Sequence, residues 1–271
     1  MNQDLIRRLG KAVGAALLSF SIIAAPAFAA DTAVKPAEPP KTATPPKAPA
    51  AKEAADVGAI KMGRDEGKGF LGRHEGFLKD LKAKEGKVDL LLVGDSITDG
   101  WRSGGKDVLQ KQWGSKMSVY NIGIGGDRTQ HVIWRLDHGE VEGIKPKVAM
   151  LMIGTNNLGG NSNEEIVSGI NKIVKQLNEK LPETKVLLLA VFPRGRKADD
   201  ANRARIKAIN EQISKLDDGG KKVKYLDIGQ TFLDKDGTIP EDVMKDALHP
   251  GAKGYQMWAD AVQPTLDQLM K

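Results

Sequence analysis

Apolar runs and helical stripes alternate along most of this chain. Leu90 to Val93, Val119 to Ile122, Val148 to Ile153, Val186 to Val191 and Val223 to Ile228 read as strands. The first and third carry no polar alternation, as in strands covered on both faces. Between the runs, apolar positions fall at helical period. Phe70, Leu71, Phe77, Leu78 and Leu81 share a face with His74, which reads more readily as a packed core histidine than as a ligand. Lys106 to Trp113 predicts a short helix, and Asp127 opens another that carries Val132, Trp134 and Leu136. Ser162 and Glu165 have the spacing of a capping box, and Ile166, Ile170, Ile173, Leu177 and Leu181 follow until Pro182 ends the helix. Ile206, Ile209, Ile213 and Leu216 mark a further amphipathic helix. Tyr255, Trp258, Val262, Leu266 and Leu269 mark a closing one, with Pro264 expected to interrupt it. Strands alternating with helices imply right-handed crossovers. The expected fold is therefore α/β, a three-layer α/β/α sandwich around a five-stranded parallel sheet.

The first 57 residues follow neither pattern. Residues 1–29 have a basic start (Arg7, Arg8, Lys11), an apolar middle from Val13 to Ile23 and an Ala27-Phe28-Ala29 cleavage signal, the layout of a signal peptide. The competing reading is an uncleaved membrane anchor, but the stretch is short, contains Ser19 and Ser21, and meets Pro26. Arg7-Arg8 gives twin-arginine export little support. Residues 30–57 are rich in alanine, proline and lysine, with almost nothing large and apolar, so a disordered linker is expected. The expected location is outside the cytoplasm, periplasmic or secreted. Residues 58–271 remain for one folded domain.

Charge and cysteine narrow the classes. The formal charge is +6, and Arg7, Arg8 and Lys11 against Asp4 account for two of those charges, leaving +4 after cleavage. Lysines and acids are interspersed along the domain, which describes a solvated surface and gives no nucleic-acid footprint. The chain has no cysteine, so neither a lipid anchor on cysteine nor a disulfide is available to an exported fold.

Three polar clusters directly follow three of the strands: Asp95-Ser96 after Gly94, then Gly125-Gly126, then Asn156-Asn157. Parallel strands point the same way, so these clusters should meet along one edge of the sheet, where α/β folds bind ligands. Ser96 is the candidate nucleophile; the alternative is that Asp95-Ser96 only turns the chain and caps a helix. A base must come from His74, His131, His138 or His249. His131 and His138 lie in or just beyond a helix, with exposed or capping roles expected. His249 lies after the last strand, where a loop can return to the strand ends, and Asp246 three residues earlier can orient its ring. The alternative is that His249-Pro250-Gly251 merely opens the last helix. Acyl transfer also needs donors for an oxyanion, and the Ser96 amide, the Gly126 amide and the Asn156 side chain are the available set. Otherwise Gly125-Gly126 is a tight turn and Asn156 a loop-stabilising amide. Arg194, Arg196 and Lys197 either meet an anionic substrate or are ordinary surface charge. Other chemistries fit less well. Arg128 stands where a dinucleotide fingerprint needs its third glycine, no phosphate loop ends in Gly-Lys-Ser/Thr, and no His/Cys cluster has zinc spacing. Gly94-Asp95-Ser96-Ile97-Thr98 also lacks the second glycine of a Gly-x-Ser-x-Gly elbow.

With these residues assembled, the chain resembles the SGNH hydrolases, also called GDSL esterases and lipases, across nearly all of residues 70–270. Gly94-Asp95-Ser96-Ile97 looks like the first family block, with isoleucine for the usual leucine. Gly126 matches the glycine block, Gly154-Thr155-Asn156-Asn157 the asparagine block, and Asp246 to His249 the closing Asp-x-x-His block. Asn157 replaces the aspartate found in many other members. Within the family, Asn121 to Leu136, Lys145 to Val148 and Pro193-Arg194-Gly195 are similar to the catalytic subunits of intracellular platelet-activating-factor acetylhydrolase. The resemblance implies a flavodoxin-like sheet and hydrolysis of a small acyl ester without metal or other cofactor. It implies catalysis by Ser96, Asp246 and His249, an oxyanion hole of Ser96, Gly126 and Asn156, and an acyl pocket bordered by Thr155 and Leu248, which favours acetyl. The expected function is an exported, lipase-like serine esterase acting on acetylated carbohydrate, lipid or another small acyl ester. No nucleic acid and no membrane span after cleavage are expected, and a homodimer is compatible with this reading. The alternatives are an O-acyltransferase using the same residues and a non-catalytic glycan-binding protein on a hydrolase fold.

Overall fold

Each apolar run of the sequence becomes a strand whose neighbours are other runs. The structure, a computed structural model, describes residues 53–61 and 67–271. The signal peptide expected over residues 1–29, and the linker as far as residue 52, lie outside the described residues. α1 (Lys68–Ala83) precedes β1 (Leu90–Gly94), and α2 (Ser96–Asp99) turns directly off the end of that strand. α3 (Lys106–Leu109) continues as a π turn over Gln110–Gly114 before β2 (Val119–Asn121). Then follow α4 (Thr129–Asp137), β3 (Val148–Met152), α5 (Asn163–Lys180), β4 (Lys185–Leu189), α6 (Ala201–Ile213), β5 (Val223–Leu226) and α7 (Ala252–Leu269). No helix among the described residues is long and apolar enough to cross a membrane.

The sheet has the order β2-β1-β3-β4-β5, with every pairing parallel, so the expected α/β/α sandwich is the fold observed. Alternate side chains of a strand point to opposite faces. Leu91, Val93, Ala149, Leu151, Val186 and Leu188 therefore meet Phe77, Val132, Ile170 and Ile209 from α1, α4, α5 and α6. Leu90, Leu92, Met150, Met152, Leu187 and Leu189 meet Trp258, Val262 and Leu266 of α7, together with Trp113. Two buried layers explain why the central strands lack polar alternation. Each large side chain so buried contributes roughly 1.5–3 kcal/mol.

The topology also fixes where a ligand can sit. From β1 the chain crosses to β2 on one side, then returns past β1 to β3 on the other. The carboxyl ends of β1 and β3 therefore flank the crevice created by that reversal. Gly94 closes β1 there because a β-carbon would overlap both the Thr98 hydroxyl and the Met152 carbonyl of the neighbouring strand.

Two expectations change. α7 runs unbroken through Pro264 instead of being interrupted by it. Pro264 and Asp260 are both exposed, so the carbonyl that the proline leaves without a donor is open to water. The linker was expected to reach residue 57, but residues 53–61 form a strap packed on the domain. Ala55 is fully buried and its carbonyl accepts from Thr129 Oγ1 at 2.7 Å. Ala59 N donates to Gln130 O at 3.1 Å. Ser168 Oγ donates to Asp56 at 2.6 Å and Gln130 Nε2 to Glu53 at 3.1 Å. Polar groups of α4 and α5 supply the partners, and small side chains let the strap lie close. A linker-like composition therefore does not exclude docking here.

Candidate active site

The crevice between β1 and β3 is where the chemistry-bearing residues gather. Asp95 is fully buried, and its Oδ1 accepts the Ile97 amide at 3.0 Å, capping α2 so that Ser96 becomes the first residue of that turn. Ser96 Oγ stands 2.8 Å from His249 Nε2, and His249 Nδ1 stands 2.6 Å from Asp246 Oδ2. With Nδ1 facing a carboxylate, the neutral ring carries its proton there, and Nε2 is free to accept from the Ser96 hydroxyl. Asp246 Oδ1 also accepts the amides of Leu248 at 3.1 Å and His249 at 2.8 Å, so the loop wraps its own carboxylate. Partial burial works to raise the Asp246 carboxyl, but the hydrogen bonds from the His249 ring and amide outweigh it and hold the carboxyl below its ordinary range. Ala247, inside this loop, has a φ of 56°, a left-handed conformation that costs a residue with a β-carbon about 1 kcal/mol. The Gly195 amide holds that turn by donating to Ala247 O at 3.0 Å.

Across from Ser96, Gly126 has a φ of 75°, which suits glycine, and its amide donates to no protein group among the described residues. A β-carbon on the adjacent Gly125 would stand 3.9 Å from Ser96 Cβ, so the two loops are in contact. Asn156 is half-buried and donates one Nδ2 hydrogen to Asp127 O at 2.9 Å, which leaves its other hydrogen for a ligand. Asn157 faces inward, taking the Thr129 amide at 3.0 Å and donating to Thr129, Gln130 and Asn161. Thr155 is buried, with Oγ1 accepting from Arg194 at 3.2 Å. Leu248 is half-buried against the core layer on the α7 side of the sheet.

Sequence reasoning missed the charged groups beneath these loops. Arg135 is fully buried and donates through Nε to Asp127 Oδ2 at 3.0 Å, while its Nη1 donates to Glu140. His74 joins the network at 2.8 Å from Glu140, consistent with the packed role expected of it. Burial pushes Asp127 up to about 6 against the pull of Arg135 and Lys61. Lys61 Nζ donates to Gly125 O and lies 4.0 Å from Asp127 Oδ1. A signal for Arg135 existed, because it stands four residues after His131 on the same helical face. His131 is buried rather than exposed, and it caps α4 by accepting the Arg128 amide at 2.9 Å. Burial, then the charges of Lys61, Arg128 and Arg135, push its ring down to about 3. His138 is exposed and stacks on Trp134 at 3.8 Å. Arg196 and Arg203 bond backbone carbonyls, Arg196 those of Ile239, Met244 and Lys245, and Arg203 those of Arg194, Gly195 and Gly237. Arg196 is thus a brace for the loops around Asp246.

Comparison with known proteins agrees with this architecture. The sequence model of the GDSL-like Lipase/Acylhydrolase family matches residues 92–257. Platelet-activating factor acetylhydrolase IB subunit alpha1 of Homo sapiens is 34% identical over 201 residues, covering 74% of this chain and 84% of the relative. The alpha2 subunit of Gallus gallus is 35% identical over 205 residues, covering 74% and 85%. Among solved structures, a GDSL-like lipase from Bacteroides thetaiotaomicron superposes with a TM-score of 0.58 at 17% identity, covering 74% of this chain and 97% of that one. Fold and sequence together place the chain in the GDSL-like lipase/acylhydrolase family, the SGNH hydrolases, and make it an ester hydrolase.

Proposed function

We propose that the chain is an exported serine esterase that removes small acyl groups, acetyl first among them, from esters of carbohydrate or other envelope or environmental compounds. The observation that carries the reading is the line of contacts from Ser96 through His249 to Asp246, at 2.8 and 2.6 Å, beside a glycine loop in which the Gly126 amide donates to no protein group among the described residues. In this reading Ser96 Oγ attacks the ester carbonyl and its proton passes to His249 Nε2. Asp246 stabilises the imidazolium through the Nδ1 proton, and the ring then returns the Nε2 proton to the departing alcohol. The Ser96 and Gly126 amides and the free Asn156 hydrogen receive the oxyanion. Water, deprotonated by the same ring, releases the acyl group and restores Ser96.

Support for a small acyl group comes from Thr155, whose hydroxyl is tied to Arg194 and so forms a fixed wall, and from the name of the acetylhydrolase relatives. The side chains of His249 and Asp246 are 43% and 55% exposed, which leaves the alcohol side open to a bulky group. Export is supported by the basic, apolar and Ala-x-Ala succession at the start of the chain. The test is hydrolysis of p-nitrophenyl acetate, butyrate and octanoate by the wild type, Ser96→Ala and His249→Ala. Acetate should be the best substrate, and each variant should lose at least about a thousand-fold in kcat. Equal rates on octanoate would remove the small acyl pocket, and a fully active Ser96→Ala would remove the serine mechanism.

A further inference from the structure

The carbonyls of the glycine loop are held one by one. Gly123 O accepts from Arg73 at 3.3 Å and from Arg102 at 3.1 Å, and Ile124 O accepts the Asp127 amide at 3.1 Å. Gly125 O has a single hydrogen-bond donor among the described residues, Lys61 Nζ. That carbonyl is half of the peptide whose other half is the Gly126 N–H. A planar trans peptide sets the two antiparallel, so whatever fixes the carbonyl fixes the direction of the amide hydrogen.

We infer that Lys61 is a positioning residue for the oxyanion donor at Gly126, brought to the active site by the strap that precedes α1. The inference rests on the serine-esterase reading of Ser96 and Gly126. Two glycines in succession leave this peptide free to rotate, and a φ of 75° at Gly126 is one of several conformations open to it. The ammonium selects one of them. It also polarises the peptide, because a charged donor on the carbonyl strengthens the N–H as a donor in turn. Asp127, buried with Oδ1 lacking a hydrogen-bond partner, stands 4.0 Å from Lys61 Nζ and holds the ammonium in place.

The strap is anchored well before it reaches the loop. Ala55 O, Ala59 N and Glu53 are bound by Thr129 and Gln130 of α4, and Asn161 Nδ2 donates to Glu53 O at 3.2 Å. A segment held at the start of α4 and at the loop after β3 thus presents its last described residue to the loop between them. This segment lies outside residues 92–257, the stretch matched by the family model.

The experiment uses the full chain with Lys61→Met, which keeps length and loses the donor, and Lys61→Arg, which keeps a charged donor. Ser96→Ala runs beside them, with p-nitrophenyl acetate as the substrate. Lys61→Met should lower kcat about ten-fold with KM unchanged, less than the hundred-fold or more that follows deletion of a donor outright. Lys61→Arg should recover most of that loss, and all three melting temperatures should match the wild type. A wild-type kcat in Lys61→Met, with Ser96→Ala inactive, would overturn the inference and leave the esterase reading standing. Equal losses in Lys61→Met and Lys61→Arg would overturn it too, since charge and donor would then be irrelevant. An active Ser96→Ala would remove the reading beneath it.

Discussion

Asp95 sits beside Ser96 in sequence yet faces the interior, and its consequences concern stability more than chemistry. Burial, with Asp127 adding to it, lifts this carboxyl from 3.8 to about 7, and Oδ2 has no hydrogen-bond partner. In the unfolded chain the group ionises near 3.8, so between that value and about 7 the folded protein keeps a proton that the unfolded chain has released. Its contribution is therefore largest below the unfolded value. It is lost as pH rises through the folded one, by up to about 1.4 kcal/mol per unit. His131 acts in the opposite sense. Its ring is pushed down to about 3, so the unfolded chain takes up the proton first and acid weakens the fold. The Asp95 effect is isolated by comparing Asp95→Asn with the wild type in urea at about pH 4.5 and about pH 7.5. The variant should gain on the wild type as pH rises, and parallel pH slopes would rule out a buried proton. At this scale the meeting of Ser96, His249 and Asp246 was legible because few residues suited each place: a hydroxyl just past a strand and, of four histidines, the one in the loop after the last strand with an aspartate three residues before it. Lys61 was not, because its contact with Gly125 spans 64 positions and the residues before it have a linker's composition.

Elements were legible wherever one local signal dominated. At the start of α5, Ser162 Oγ accepts the Glu165 amide at 3.2 Å, and Glu165 Oε2 accepts the Ser162 amide at 2.7 Å, the reciprocal pair that the spacing announced. Ser162→Ala should cost about 1 kcal/mol, read as a lower urea midpoint with an unchanged slope. A midpoint equal to the wild type would mean that water replaces the cap without loss. Pro264 misled because a proline's effect depends on which way the freed carbonyl faces, and that is settled by packing. The strap misled for a related reason. Its partners are backbone and side-chain groups of α4 and α5, so nothing in its own residues marks it as docked.

At the scale of the whole molecule, alternation of strands and helices conveyed the layers but not the order of the strands. The order β2-β1-β3-β4-β5 decides that the ends of β1 and β3, rather than those of two edge strands, flank the crevice. It follows from which helices cover which face, a property of many distant contacts together. The same distance has a consequence in time. Ser96 and His249 lie 153 positions apart, and Tyr255 of α7 reaches back to donate to Ile97 O at 2.8 Å. Contacts between residues so remote form late, and chains of this size commonly pass through intermediates with much of their helix already in place. After dilution from denaturant, far-UV ellipticity should therefore recover before esterase activity does. Simultaneous recovery would mean that the last helix docks with the rest. A chain caught before that step would have native-like helix content with Ser96 and His249 still apart, so under the proposed serine mechanism its activity would begin only once folding was finished.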